Sequence, residues 1–175
     1  MVSYMDLSTT TILFPASLNF IVYAWSVYYD TNKNQPPIES QVSGIWPLEE
    51  RFIKLEEVWN SQVNEIGQTG VSIHEGHCLE NPAHHFRALF MPGTEGDQAF
   101  YTSWKFFFEW WSYARTAYDL AITPFLDEIR LKYNSNNESL TLLILYDEPY
   151  SALRRDFVGG IAVPFEELVR NHKHL

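Results

Sequence analysis

The sequence predicts a mainly β domain interrupted by helical insertions, or alternatively an α+β arrangement in which an antiparallel sheet packs on a central aromatic helix. Three observations predict it. Leu18 to Tyr29 is dominated by β-branched and aromatic residues, residues 125–133 alternate apolar with polar, and Leu140 to Tyr146 is a continuous apolar run of strand length. Against these stand two stretches with helical periodicity, 47–66 and 98–122. A chain of 175 residues buries a sizeable core without staples, so one domain spanning 1–175 is expected.

The elements follow in order. The strand expected at 18–29 runs into Asp-Thr-Asn-Lys-Asn and Pro36-Pro37, so 31–44 reads as a flexible connection. After Pro47, the residues Leu48, Phe52, Leu55, Trp59, Val63 and Ile66 recur at steps of three and four. Glu49 and Glu50 lie in the first turn and Gly67 follows the last apolar position, which together predict an amphipathic helix. Between Gln98 and Ile122 the polar residues Gln98, Thr102, Lys105, Glu109, Ser112, Thr116 and Asp119 form one narrow stripe. The rest of that helix is large and apolar, so it must be covered on most of its circumference, either centrally or at an interface.

Past Pro124, Phe125, Ile129, Leu131 and Tyr133 alternate with Glu128, Arg130 and Lys132, which reads as a half-buried strand. Asn134-Ser135-Asn136-Asn137 would turn it into the 140–146 strand as a hairpin. Phe157 to Val163 is a further strand candidate. Gly159-Gly160 within it points to a bulge or close backbone packing, and Pro164 can open a short terminal helix.

Residues 139–168 (SLTLLILYDEPYSALRRDFVGGIAVPFEEL) resemble the closing portion of a C2 domain, a β-sandwich that binds phospholipids or proteins. Asp147, the step Asp156-Phe157-Val158-Gly159 and the turn Val163-Pro164-Phe165 carry the resemblance. Upstream, Thr123-Pro124-Phe125-Leu126-Asp127-Glu128 and His85 to Gly93 are similar to the family's strand entries. Gly-Gly-x-x-x-Pro-Phe and Glu109-Trp110-Trp111 are similar to the C2 domain of phosphoinositide 3-kinases. The resemblance implies a C2-like antiparallel β-sandwich. It places Asp147 and Asp156 at calcium-like positions, but Pro149 stands two after Asp147, and Asn81-Pro82 stands where Asp-Pro is usual. The implied module is calcium-independent.

The formal charge is -10, which repels nucleic acid and anionic bilayers; the longest basic run is Arg154-Arg155. No nucleic-acid partner and at most weak membrane contact are expected. Leu7 to Tyr29 carries no charge, yet it lacks a positive start and holds Pro15, Ser17 and Asn19 in its first half, so neither a signal peptide nor a span is expected. The single cysteine, Cys78, excludes an internal disulfide and fits a cytoplasmic, reducing setting.

His74, His77, Cys78, His84 and His85 crowd into twelve residues, and imidazole with thiolate suits zinc, so they are the candidate metal ligands. Cys78-Leu79-Glu80-Asn81-Pro82-Ala83-His84 is also similar to the ending of HNH nucleases, but a strongly acidic chain has no surface to hold phosphates. No nucleotide-binding, hydrolase-elbow or zinc-protease motif is present, so no catalytic residue and no cofactor are expected. The expected function is a non-catalytic interaction or scaffold module for a protein partner, with Trp104, Phe108, Trp110, Trp111, Arg154 and Arg155 as contact residues. Homo-oligomerisation through the aromatic helix is compatible with that reading. The alternative is a small acidic inhibitor, a toxin-immunity or anti-defence protein that occludes a basic target.

Overall fold

The computed structural model describes residues 10–28, 43–133 and 139–170. The connection expected at 31–44 falls almost wholly outside these residues, and the Asn134–Asn137 turn lies outside them entirely. Seven α-helices and four short strands are described. They run β1 (Thr10–Leu13), α1 (Ala16–Tyr28), α2 (Leu48–Thr69), α3 (Val71–Glu80), α4 (Pro82–Phe86), α5 (Thr94–Ile122), α6 (Leu126–Tyr133), β2 (Leu140–Leu145), β3 (Asp156–Phe157), β4 (Gly160–Pro164) and α7 (Phe165–Arg170). The mainly β sandwich implied by the C2 resemblance is therefore not the fold. The protein is mostly helical, with one small mixed sheet ordered β1-β2-β4-β3.

The sheet explains one correct expectation and one incorrect one. Leu142, Leu143, Ile144 and Leu145 are all fully buried, so β2 has both faces covered, which is why it reads as a continuous apolar run. Its partners, however, are β1 and β4, both parallel, with Leu142 opposite Ile12 and Ile161. No hairpin joins it to the preceding segment, because that segment is helical. Phe125, Ile129 and Tyr133 are four residues apart and so share a helix face as readily as a strand face. Leu131 decides between the two: the strand reading needs it inside, and it is 78% exposed.

Between β3 and β4 the chain turns at Gly159, whose φ of +79° suits glycine. A Cβ on Gly160 would stand 2.4 Å from the Thr141 carbonyl oxygen, so the close backbone packing expected there is present.

The strand expected at 18–29 is also a helix through Tyr28, with Tyr29 outside the described residues. Leu18, Phe20, Ile21, Val22 and Ala24 surround α1 with buried side chains, and a helix apolar on all sides is one enclosed on all sides. Its buried polar residues explain how it is seated. The Asn19 amide donates to the Pro15 carbonyl at 2.7 Å and the Ile144 carbonyl at 2.9 Å, while its oxygen accepts from the Tyr146 N–H at 2.8 Å. One side chain thus clamps α1 to the C-terminal end of β2. The free N–H groups that open α1 are met from α3: Glu75 accepts from Ala16 at 2.7 Å and Ser17 at 3.2 Å, and from the Ser17 hydroxyl.

The two helices expected from periodicity are present and longer than their apolar patterns. Helix α2 continues through Gly67 to Thr69 and stops at Gly70, whose φ is +81° and whose N–H bonds the Ile66 carbonyl. It buries Leu55, Trp59, Val63 and Ile66, and the Trp59 indole N–H reaches the Arg154 carbonyl at 2.7 Å, tying the helix to the segment before β3. Leu48 is exposed and starts the helix without anchoring it. Helix α5 lays Phe100, Ser103, Phe107, Trp111 and Ile122 against the core. Phe20 of α1 meets Phe86, Phe100, Trp104 and Phe107 edge-on, with ring centroids 4.9–6.4 Å apart.

Candidate functional site

Three places combine chemistry with access. The first is the outer surface of α5. Phe106 is 59% exposed, Trp110 38%, Tyr113 82% and Leu120 68%, with Ala117 exposed among them. Their spacing of four, three, four and three places them on one stripe along the helix. Phe108, also exposed, lies across the helix on the edge of a separate cleft.

The contact residues expected from sequence are thereby divided. Trp110 belongs to the stripe. Trp104 is half-buried and stacks on Phe86 at 5.5 Å, and Trp111 is buried against Phe107 at 5.7 Å, so both serve the core. Arg154 lies far along the chain, exposed beside a polar cleft of about 520 Å³ between α2 and β3. Arg155 is paired with Glu167 at 2.8 Å. Phe106, Tyr113 and Leu120, the other large members of the stripe, were not among the expected contact residues; their heptad-like spacing was available in the sequence.

The second place is a histidine corner where α2, α3 and α4 meet. Glu65 of α2 is approached by the Nδ1 atoms of His74 at 3.5 Å, His77 at 3.4 Å and His85 at 3.6 Å. Cys78 Sγ lies 3.4 Å from the His74 Nε2 and 3.4 Å from the Gln62 oxygen. The helix spacing does this work: His74 and Cys78 are one turn apart on the buried side of α3, while His77 is on its open side. His84 packs on His85 and joins it in lining a recess of about 290 Å³ with Glu80 and Asn81.

Four of the five residues expected as zinc ligands, His74, His77, Cys78 and His85, do gather here. Even so, no group of three or more His, Cys, Asp or Glu among the described residues is placed to hold a metal ion. The same finding covers Asp147 and Asp156, the calcium-like positions. Burial drives His74 and His85 below the ordinary imidazole value, with Glu65 opposing, and burial pushes the Cys78 thiol far up, which makes it inert. Burial tends to raise Glu65, but the His77 hydrogen bond and the neighbouring His74 and His85 bring it below its ordinary range.

The third is a half-open cleft of about 720 Å³ at the C-terminal end of β1, between α3 and α5, lined by Phe14, Val71, Glu75, Phe108, Arg115 and Asp119 among others. Burial raises the Glu75 carboxyl, opposed by its bonds from Ser17 and Ala16 and by Arg115. A shifted carboxyl in a cleft has the form of a catalytic acid. Here its oxygens are already committed to the start of α1, which assigns Glu75 to the fold.

No family model, curated protein or solved structure matches this chain. Among the described residues no helix is long and apolar enough to cross a membrane.

Proposed function

We propose that this protein is a non-catalytic interaction module that binds a protein partner through the outer face of α5. The supporting observation is the stripe Phe106, Trp110, Tyr113, Ala117 and Leu120. Single exposed apolar residues are ordinary, but an apolar row along one helix, three of its members aromatic, loses free energy to water unless something covers it. Aromatic side chains of this kind are also the usual anchors of interfaces. The charge of -10 fits a cytoplasmic module with a basic partner and a poor affinity for nucleic acid. A small acidic inhibitor is the special case in which that partner is a basic enzyme or toxin.

Affinity capture with wild-type protein beside Phe106→Ser and Tyr113→Ser variants tests this. Partners retained by the wild type and by an Arg154→Ser control, but lost from both face variants, are the expected result. An identical set of partners for all four proteins would refute the assignment.

A further inference from the structure

We propose that the cleft between α3 and α5 is a binding site for a small zwitterion with an apolar body, of the size of an apolar amino acid or dipeptide. The site is separate from the outer face of α5 and does not depend on it. At about 720 Å³ the cleft has the capacity of a small-molecule pocket, and it lies at the carboxyl end of a parallel strand, where α/β folds commonly hold their ligands. Steps of three and four put Phe108, Trp111, Arg115 and Asp119 on one side of α5, which forms one wall; Glu75 and Leu79 belong to α3, which forms the other.

The lining has an apolar part and a charged part. Leu79 and Phe108 are large apolar residues on opposite walls, 47% and 40% exposed, and Phe14 at the end of β1 joins them. An apolar group seated among these residues is withdrawn from water together with them. Arg115 and Asp119 stand one turn apart, both exposed, and neither forms an ion pair among the described residues. A cation followed by an anion is the weaker order for pairing along a helix. Arg115 nevertheless acts on the Glu75 carboxyl, so its charge is felt at the facing wall. Glu75 itself is taken up by the first N–H groups of α1. One cation and one anion of the lining are left for a visitor.

Their opposite signs choose the ligand. A simple carboxylic acid gains Arg115 but meets Asp119, and a simple amine gains Asp119 but meets Arg115; a molecule with both charges satisfies both. Trp111 fixes the direction. Its indole Nε1 is one of two buried side-chain polar atoms among the described residues without a hydrogen-bond partner, and an unmet buried donor favours an acceptor beside it. The carboxylate therefore belongs at the Trp111 and Arg115 end of the wall, and the ammonium at Asp119.

The probes are phenylalanine and leucylphenylalanine, titrated into the full chain by isothermal calorimetry. Phenylpropionate and phenethylamine, which each lack one charge of phenylalanine, are the comparison. Saturable binding of at least one zwitterion is expected, and the tighter of the two sets the length of the ligand. The acid and the amine should each bind ~5-fold or more weakly than phenylalanine, the scale of one exposed charge pair. Arg115→Gln should weaken the zwitterion by a similar factor and leave phenethylamine no weaker, while Asp119→Asn should do the converse with phenylpropionate. Phe108→Ser should weaken every probe. All three substitutions are at exposed positions, and unchanged circular dichroism confirms folding. Tyr113→Ser, on the outer face of α5, should leave binding as it is.

No saturable binding of either zwitterion would overturn the proposal and leave the interaction-module reading standing. Equal binding of phenylalanine, acid and amine would overturn the charge assignment, and with it the ligand class. Binding by the acid alone, lost in Arg115→Gln and indifferent to Asp119→Asn, would give the cleft to a carboxylic acid instead. Binding lost in Tyr113→Ser but kept in Phe108→Ser would place the ligand outside the cleft.

Discussion

Helices α1 and α5 draw on the same aromatic and aliphatic vocabulary and end in opposite environments. Helix α1 buries residues on every side, including Ser17 and Asn19, whereas α5 buries one row and leaves Phe106, Tyr113 and Leu120 to solvent. Composition does not separate them. Their polar residues do. In α1 these are short side chains that hydrogen-bond backbone and Glu75 within the core. In α5 Lys105, Glu109, Arg115 and Asp119 require water and hold one side of the helix at the surface. The apolar row beside those charges is exposed by its position on the helix.

The largest effects should come from breaking the enclosed helix. Phe20 is fully buried among Phe86, Phe100, Trp104 and Phe107, and Phe20→Ala should cost about 3–5 kcal/mol in chemical denaturation, the range for a deleted core aromatic. Asn19→Ala should cost about 1–3 kcal/mol, because it leaves the Ile144 carbonyl and the Tyr146 N–H without their partner. A cost under a few tenths of a kcal/mol for Asn19→Ala would mean that the clamp between α1 and β2 is replaceable by water.

These two residues also show what was legible in the sequence and what was not. The 47–66 and 98–122 helices were readable because polar residues interrupt their apolar pattern every turn. The segment 16–28 offers no such contrast, and β-branched and aromatic content then favours a strand. The information that makes it a helix lies elsewhere, in Glu75, fifty-eight residues from Ser17, and in β2. The segment 126–133 was ambiguous in itself, since its apolar residues fit both periods. The C2 resemblance rested on short motifs whose residues occur here in other contexts: Thr123–Phe125 is a helical turn, and His85 to Gly93 runs through α4 and the turn Arg87–Leu89. For the candidate sites, the histidine crowding was visible in sequence, but Glu65, at its centre, was one acidic residue among many until α2 and α3 were folded together.

The histidine corner should set an intermediate effect, dependent on pH. His74 is fully buried and its folded value lies below the ordinary imidazole value, so the unfolded chain takes up a proton more readily than the folded one. Stability should therefore fall as pH drops below about 6.5, by up to about 1.4 kcal/mol per pH unit for each proton excluded. His85 acts in the same direction. His77 and His84 face His85, Glu65 supplies the opposing charge, and Glu80 lines the same recess. Lower in pH, Glu65 adds to the loss as it is protonated through its depressed range. Thermal unfolding from pH 7.5 to 5.5 should show a declining midpoint, and His74→Gln should flatten the decline. A slope identical in the variant would place the acid sensitivity outside this corner.

The smallest effect on stability is the one that most sharpens the comparison. Tyr113 is 82% exposed and Leu120 68%, so Tyr113→Ser and Leu120→Ser remove little buried area and should change unfolding free energy by no more than about 0.5 kcal/mol. If the row were part of the core, truncating it would behave like Phe20→Ala; if it were an ordinary surface, truncation would alter nothing measurable. An interface gives a third outcome, with stability preserved and partner binding lost, because the apolar area of the row is withdrawn from water only in the complex. Denaturation and binding measured on the same two variants separate the three cases. A loss of several kcal/mol in stability would return α5 to the same class as α1.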